Sequence, residues 1–130
     1  GARDTALEGR RAQAHPSLVV NEAGLARQQP GPHGGAGTTT AYPLFADASG
    51  LSFFFRKRVL HKGAGIGLHQ HDKDEVYYMV SGKGRYIVDG TIRDVGPGDA
   101  MLTRPGSTHA LQQAGEDDLV ILLAYPKAAD

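Results

Sequence analysis

The sequence predicts an all-β domain, and three observations carry that expectation. Eighteen glycines and seven prolines punctuate the 130 residues, and past the N-terminal segment no long run of helix formers interrupts them. Short apolar runs recur at close spacing from Leu51 to Tyr125. Tight-turn sequences separate those runs, the pattern of short strands joined by hairpins in a sandwich or a small closed barrel. The length suits one domain, so a second core is not expected.

Taken in order, Gly1 to about His15 is small, Arg- and Ala-rich and poor in large apolar side chains, and reads as a frayed arm. Ser17-Leu18-Val19-Val20 reads as a short strand. Gln28 to Thr40 (QQPGPHGGAGTTT) is dense in Gly and Pro and reads as a loop hugging the rim, so residues 1–41 are assigned to an N-terminal arm and residues 42–130 to the β-domain. The core begins with Leu51–Leu60, where aromatic and long cationic residues suit a strand with one buried face. Further strands are expected at Gly67–Gln70, Glu75–Val80, Arg85–Asp89, Thr91–Val95, Ala100–Thr103, His109–Gln113 and Leu119–Tyr125. Asp89-Gly90 predicts a two-residue type I′ hairpin, because that turn needs positive φ at both central positions.

Composition narrows the function. Fourteen Lys and Arg balance fourteen Asp and Glu, leaving no global field to hold a phosphate backbone, and no basic patch stands out, so a nucleic-acid partner is not expected. No apolar run approaches the roughly 18 residues needed to cross a bilayer as a helix, so a membrane role is not expected either. With no cysteine, disulfides, thiolate nucleophiles and Cys-based metal sites are excluded, and any metal must be held by nitrogen and oxygen. The chain opens on Gly1, which leaves both a cytoplasmic and a periplasmic location open.

His69 and His71 are separated by one residue in an apolar stretch, and on a strand such positions project from the same face. Glu75 follows the polar turn Asp72-Lys73-Asp74, so a hairpin would bring its carboxylate back toward the two rings. His109, after the turn Pro105-Gly106-Ser107-Thr108, would supply a third nitrogen from a neighbouring strand. Three imidazoles and a carboxylate suit one divalent transition metal (Mn, Fe, Ni or Zn), with positions left for water or substrate.

The glycines around these residues extend the pattern. Gly63, five residues, His69-Gln70-His71, three residues, Glu75, six residues and Gly82 resemble the first signature of the cupin superfamily at every position. Gly98, Asp99, Gly106 and His109 match the spacing of its second signature, with Pro105 one position late and Gln113 in place of the closing Asn. The resemblance spans Leu51 to Tyr125 and implies a jelly-roll β-barrel of the RmlC-like type with the metal inside it, held by His69, His71, Glu75 and His109. It also implies that Gly82 and Gly98 turn the chain between strands, and that barrels pair as homodimers. Leu18-Val19-Val20 would add a strand to a neighbour's sheet edge.

By parity from Glu75, Tyr77 and Met79 should face the interior, as should Leu111 and Gln113 from His109. Tyr77 and Gln113 are candidates to present a phenol and an amide to a ligand. Arg56 and Arg58 share a strand face and would meet a carboxylate or phosphate if that face points inward, although a solvated outer face is the commoner arrangement. His33, in Pro32-His33-Gly34-Gly35, is a candidate lid residue over the barrel mouth, and with Tyr77 a candidate for acid–base work. His15 is expected to be a bystander in the arm, and His61, two residues before Gly63 at a strand end, to be exposed. The reading favoured by these residues is a metal-dependent isomerase, lyase or dioxygenase acting on a small oxygenated molecule such as a sugar, uronate or keto acid. The competing readings are a non-catalytic binding or sensing domain and a barrel whose metal serves stability alone. No second carboxylate and histidine pair is marked beside the metal, which weighs against proton-shuffling catalysis.

Overall fold

The computed structural model describes residues 15–128, and the arm predicted for Gly1 to His15 falls outside that range except for its last residue. Among the described residues ten strands form two antiparallel sheets. These are β1 (Arg27–Pro30), β2 (Thr38–Tyr42), β3 (Phe53–Leu60), β4 (Gly65–Gln70), β5 (Glu75–Ser81), β6 (Lys83–Val88), β7 (Thr91–Val95), β8 (Ala100–Thr103), β9 (Thr108–Ala114) and β10 (Leu119–Pro126). One sheet has the order β1-β2-β3-β10-β5-β8 and the other β4-β9-β6-β7. Chain-adjacent strands such as β3 and β4 lie in different sheets, so consecutive turns carry the chain back and forth across the barrel.

Inward positions from both sheets fill the space between them. Leu60, Met79, Leu111, Leu119 and Ile121 are fully buried, and Ile66, Tyr77, Tyr86, Val95, Met101 and Leu123 complete the cluster. Along β5 the buried residues are Glu75, Tyr77 and Met79, in the expected alternation. Asp89 and Gly90 both take positive φ (47° and 81°), as a type I′ hairpin requires.

Two expectations for the N-terminal third are corrected. Ser17–Val20 forms no strand, because no neighbouring backbone pairs with it, and Val19 is almost fully exposed. The Gly- and Pro-rich stretch is not a plain loop: Arg27–Pro30 pairs with Thr38–Ala41, and β2 in turn pairs with β3. Its composition hid the strands because β1 is an exposed edge with no apolar face, while β2 is carried by three consecutive threonines, which favour extended backbone. Between the two strands Pro32–Gly34 makes one 3₁₀ turn.

Candidate metal centre

His69 and His109 face each other across β4 and β9 as direct register partners. A register shift between Ile66 and His69 lets both of these side chains point inward although three positions separate them. Glu75 opens β5 in the opposite sheet, so the site forms where the sheets close on each other. His109 Nε2 lies 3.0 Å from His69 Nε2 and 3.0 Å from Glu75 Oε1. The donor atoms of these three residues all fall within 4.8 Å of one another.

The tautomers support metal binding. His69 Nδ1 donates to the Gly67 carbonyl at 2.8 Å, which leaves Nε2 with a lone pair. His109 is completely buried, and its Nδ1 meets the Thr103 hydroxyl at 2.7 Å, which in turn bonds the Tyr86 phenol. Glu75 Oε1 is a buried acceptor with no hydrogen-bond donor aligned to it. A cation with bonds of about 2.1 Å sets neighbouring ligands about 3 Å apart at right angles, so these spacings and the orphaned oxygen fit a metal ion. Burial alone would raise the Glu75 carboxyl; the adjacent His109 imidazole and the Tyr77 phenol outweigh it and hold the group below the usual carboxylate range. Burial lowers the His69 imidazole, keeping it neutral for coordination.

His71 stands outside this trio. It lies one residue past the end of β4, where the strand rule that would align it with His69 no longer holds. Its Nδ1 is engaged by the Lys73 main chain, with the nitrogen at 3.1 Å and the carbonyl at 3.2 Å, and its ring meets the edge of Tyr125. Nε2 is the one nitrogen that a cation can take from it.

A cavity of about 140 Å³ adjoins the trio and is lined by His33, Arg56, Arg58, His71, Glu75 and Tyr77, among others. Arg58 reverses the outward placement: it is buried, because even-numbered residues of β3 face the core together with Leu60. Its Nη1 donates to Gln29 Oε1 at 3.0 Å and Thr39 Oγ1 at 2.9 Å, and no carboxylate pairs with it among the described residues. Burial and the nearby Arg56 charge pull its pKa down, yet a guanidinium stays charged throughout the working range. Arg56 lies over the Phe54 ring. Tyr77 stacks on His109 beside Glu75; burial and the Glu75 charge push its phenol well above the usual range, which keeps it neutral.

His33 lies flat on His69, with ring centroids 3.6 Å apart and 8° between planes. Glycine makes this possible: a Cβ on Gly35 would sit 1.9 Å from the Gly65 carbonyl oxygen, and one on Gly67 would sit 2.1 Å from that of His33. Gln113 does not reach the cavity. Its amide accepts from Gly63 N and donates to the carbonyls of Ala114, Gly115 and Asp117, so it braces two turns. His61 bridges Thr40 and Asp118, and His15 contacts Ser49. The second role of β2 had no visible signal in the sequence: Thr39, which helps to hold Arg58, sits in the stretch read as a loop.

Residues 56–125 match the family model described as the cupin domain. Over 69 residues, 52% of this chain, the sequence is 32% identical to the oxalate-binding protein of Thermotoga maritima, covering 57% of that protein. Over 78 residues it is 30% identical to the 5-nitrosalicylic acid 1,2-dioxygenase of a Bradyrhizobium species, covering 38% of it. The chain thus spans between about a third and three fifths of the curated relatives it matches. Among solved structures, one described as a predicted oxalate decarboxylase from Thermotoga maritima superposes with a TM-score of 0.77 at 24% identity, over 85% of this chain and 100% of that one. A cupin 2 conserved barrel domain protein from Rhodopseudomonas palustris gives 0.68 at 24%, over 82% and 72%. At such identities the structural likeness speaks for the fold alone. With its barrel, its two histidine-bearing strands and more than half its length matched to the family model, the chain belongs to the cupin family.

Proposed function

We propose that this protein is a metal-dependent enzyme acting on a small molecule that bears a carboxylate. The observation that carries this reading is the convergence of His69, Glu75 and His109 beside a cavity lined by a buried guanidinium that has no acid partner among the described residues. A buried unpaired cation is costly, and an anionic ligand relieves that cost. Arg58, with Arg56 beside it, therefore favours uronates and keto acids over neutral sugars among the substrate classes open from the sequence. Both curated relatives are named for carboxylic acids, oxalate and 5-nitrosalicylic acid.

His69, Glu75 and His109 would hold the ion, with His71 Nε2 as a fourth donor after a ring rotation. When bound, the ion supplies Lewis-acid polarisation of a substrate oxygen or, if it is iron, access to dioxygen. The chain's own residues do the rest. Arg58 and Arg56 orient the substrate carboxylate, Tyr77 packs against His109 and holds its ring in place, and His33, stacked on His69, covers the mouth and limits water entry. The cavity admits only a few heavy atoms, which matches a small acid.

Elemental analysis of the purified protein beside His69→Ala, together with calorimetry of oxalate against wild type and Arg58→Gln, tests the proposal. About one equivalent of metal in wild type, absent from His69→Ala, and oxalate binding lost in Arg58→Gln are expected. No metal after anaerobic reconstitution, or unchanged binding in Arg58→Gln, would overturn it. One observation favours a second reading, a binding or sensing cupin: Glu75 belongs to the candidate metal trio and burial holds Tyr77 as a neutral phenol, which leaves few groups lining the cavity for acid–base work. Ligand binding without turnover or oxygen consumption, in air and without it, selects that reading.

A further inference from the structure

The guanidinium of Arg58 carries five N–H donors and no acceptor, so every hydrogen bond it makes has a fixed direction. Its contacts among the described residues both start from Nη1, to Gln29 Oε1 at 3.0 Å and to Thr39 Oγ1 at 2.9 Å, and they use both Nη1 hydrogens. The Thr39 hydroxyl accepts from Arg58 and turns its own proton to the Gln29 carbonyl at 3.3 Å. Strand register builds this triangle. Gln29 and Thr39 are direct partners across β1 and β2, and Ala41 of β2 stands opposite Arg58 of β3. Ala41 has neither reach nor a polar side-chain atom, so the guanidinium leans diagonally to Thr39, two positions along on the same face.

Nε–H and the two Nη2 hydrogens are left with no protein acceptor among the described residues. Buried side-chain atoms without a hydrogen bond there are Asp74 Oδ1 and Glu75 Oε1, so neither of these Arg58 nitrogens is sealed off, and Arg58 lines the cavity beside the metal trio. Nε–H and one Nη2–H run parallel at the spacing of two carboxylate oxygens.

Resting on the carboxylate-binding reading of this cavity, we propose that Gln29 and Thr39 are positioning residues that set its ligand specificity. By occupying Nη1 they present the Nε–Nη2 edge to the cavity, which selects a planar carboxylate held by two parallel bonds. Holding that orientation before the ligand arrives removes an ordering cost from binding. The hairpin of β1 and β2 thus serves the site at two points, since its turn also carries His33 onto His69.

Calorimetry of oxalate, with elemental analysis of each protein, tests this in Thr39→Val, Thr39→Ser, Gln29→Leu and Gln29→Glu. Gln28→Leu is the control, because the Gln28 amide bonds Thr40 instead. Oxalate affinity about tenfold lower or more is expected in Thr39→Val and Gln29→Leu, the worth of a hydrogen bond to a charged group. Thr39→Ser and Gln28→Leu should bind as wild type, and metal content should hold in all five. Gln29→Glu should lose most, because its carboxylate pairs with the guanidinium from within the protein and competes with the ligand. Wild-type affinity in Thr39→Val, Gln29→Leu and Gln29→Glu, with binding lost in Arg58→Gln, overturns the inference alone. Metal and oxalate lost together mark a merely structural role and overturn it as well. Unchanged binding in Arg58→Gln overturns the carboxylate reading and this inference with it. Gln29 lies on an exposed edge strand, so its variants decide the matter if Thr39→Val misfolds.

Discussion

His109 is held from both sides: Thr103, anchored by Tyr86, fixes Nδ1, and that leaves Nε2 to face His69 and Glu75. Partners that orient a metal-ligating histidine influence affinity nearly as strongly as the ligands themselves. Thr103→Val should therefore weaken metal binding by about 10- to 100-fold with the fold retained, measured by competition with a chromogenic chelator. Arg58 sits in the opposite balance. It is a buried charge whose partners among the described residues are neutral oxygens, so Arg58→Met should leave the melting temperature unchanged or raise it while abolishing the proposed carboxylate binding. A drop of more than about 3 kcal/mol in unfolding free energy would assign Arg58 to structure instead.

The turn between β1 and β2 is the element that completes the site. It can lie against β4 only because glycine meets glycine, with Gly35 over Gly65 and Gly67 under the His33 carbonyl. His33 itself has φ 54° and ψ 39°, a left-handed conformation held by that packing. Because the opposing atoms are backbone, they cannot swing aside. Gly35→Ala should cost at least about 1–3 kcal/mol in urea unfolding and release His33 from His69. Gly34→Ala tests the other limit: its Cβ meets nothing within 4 Å, so only the strain of φ 73° remains, and a loss of about 1 kcal/mol is expected.

At the level of the whole molecule a metal held by His69, Glu75 and His109 would join elements from both sheets, β4 and β9 with β5, and should act as a clamp between them. A ligand that binds only the folded chain stabilises it by mass action, by about 2.7 kcal/mol at one hundred times its dissociation constant. Adding the cognate ion should raise the thermal midpoint of wild type by several degrees, a chelator should reverse the gain, and His69→Ala should respond to neither. Differential scanning fluorimetry reads all three.

Much of this architecture is legible in the amino-acid sequence. From β3 to β10 each strand is marked by its apolar run and its bounding turn, and Gly82 and Gly98 adopt the positive φ expected of them, 85° and 90°. His69, Glu75 and His109 are marked by spacing, because the intervening turns are short and leave few ways to bring the side chains together. The rest depends on contacts between residues distant in sequence. β1 and β2 are strands because β3 offers them a free edge, a property of the assembled sheet and not of a Gly- and Pro-rich segment. His71 leaves the trio because β4 ends before it, and Gln113 turns to backbone carbonyls that only the folded loops bring near. Arg58 points inward by a parity that local pattern leaves ambiguous, since arginine is tolerated on a buried face only where Gln29 and Thr39 reach it. Periodicity and turn chemistry are local, so the sequence alone determined the barrel and its ligand strands; which side chains share a cavity, and with what charge, was decided by tertiary packing.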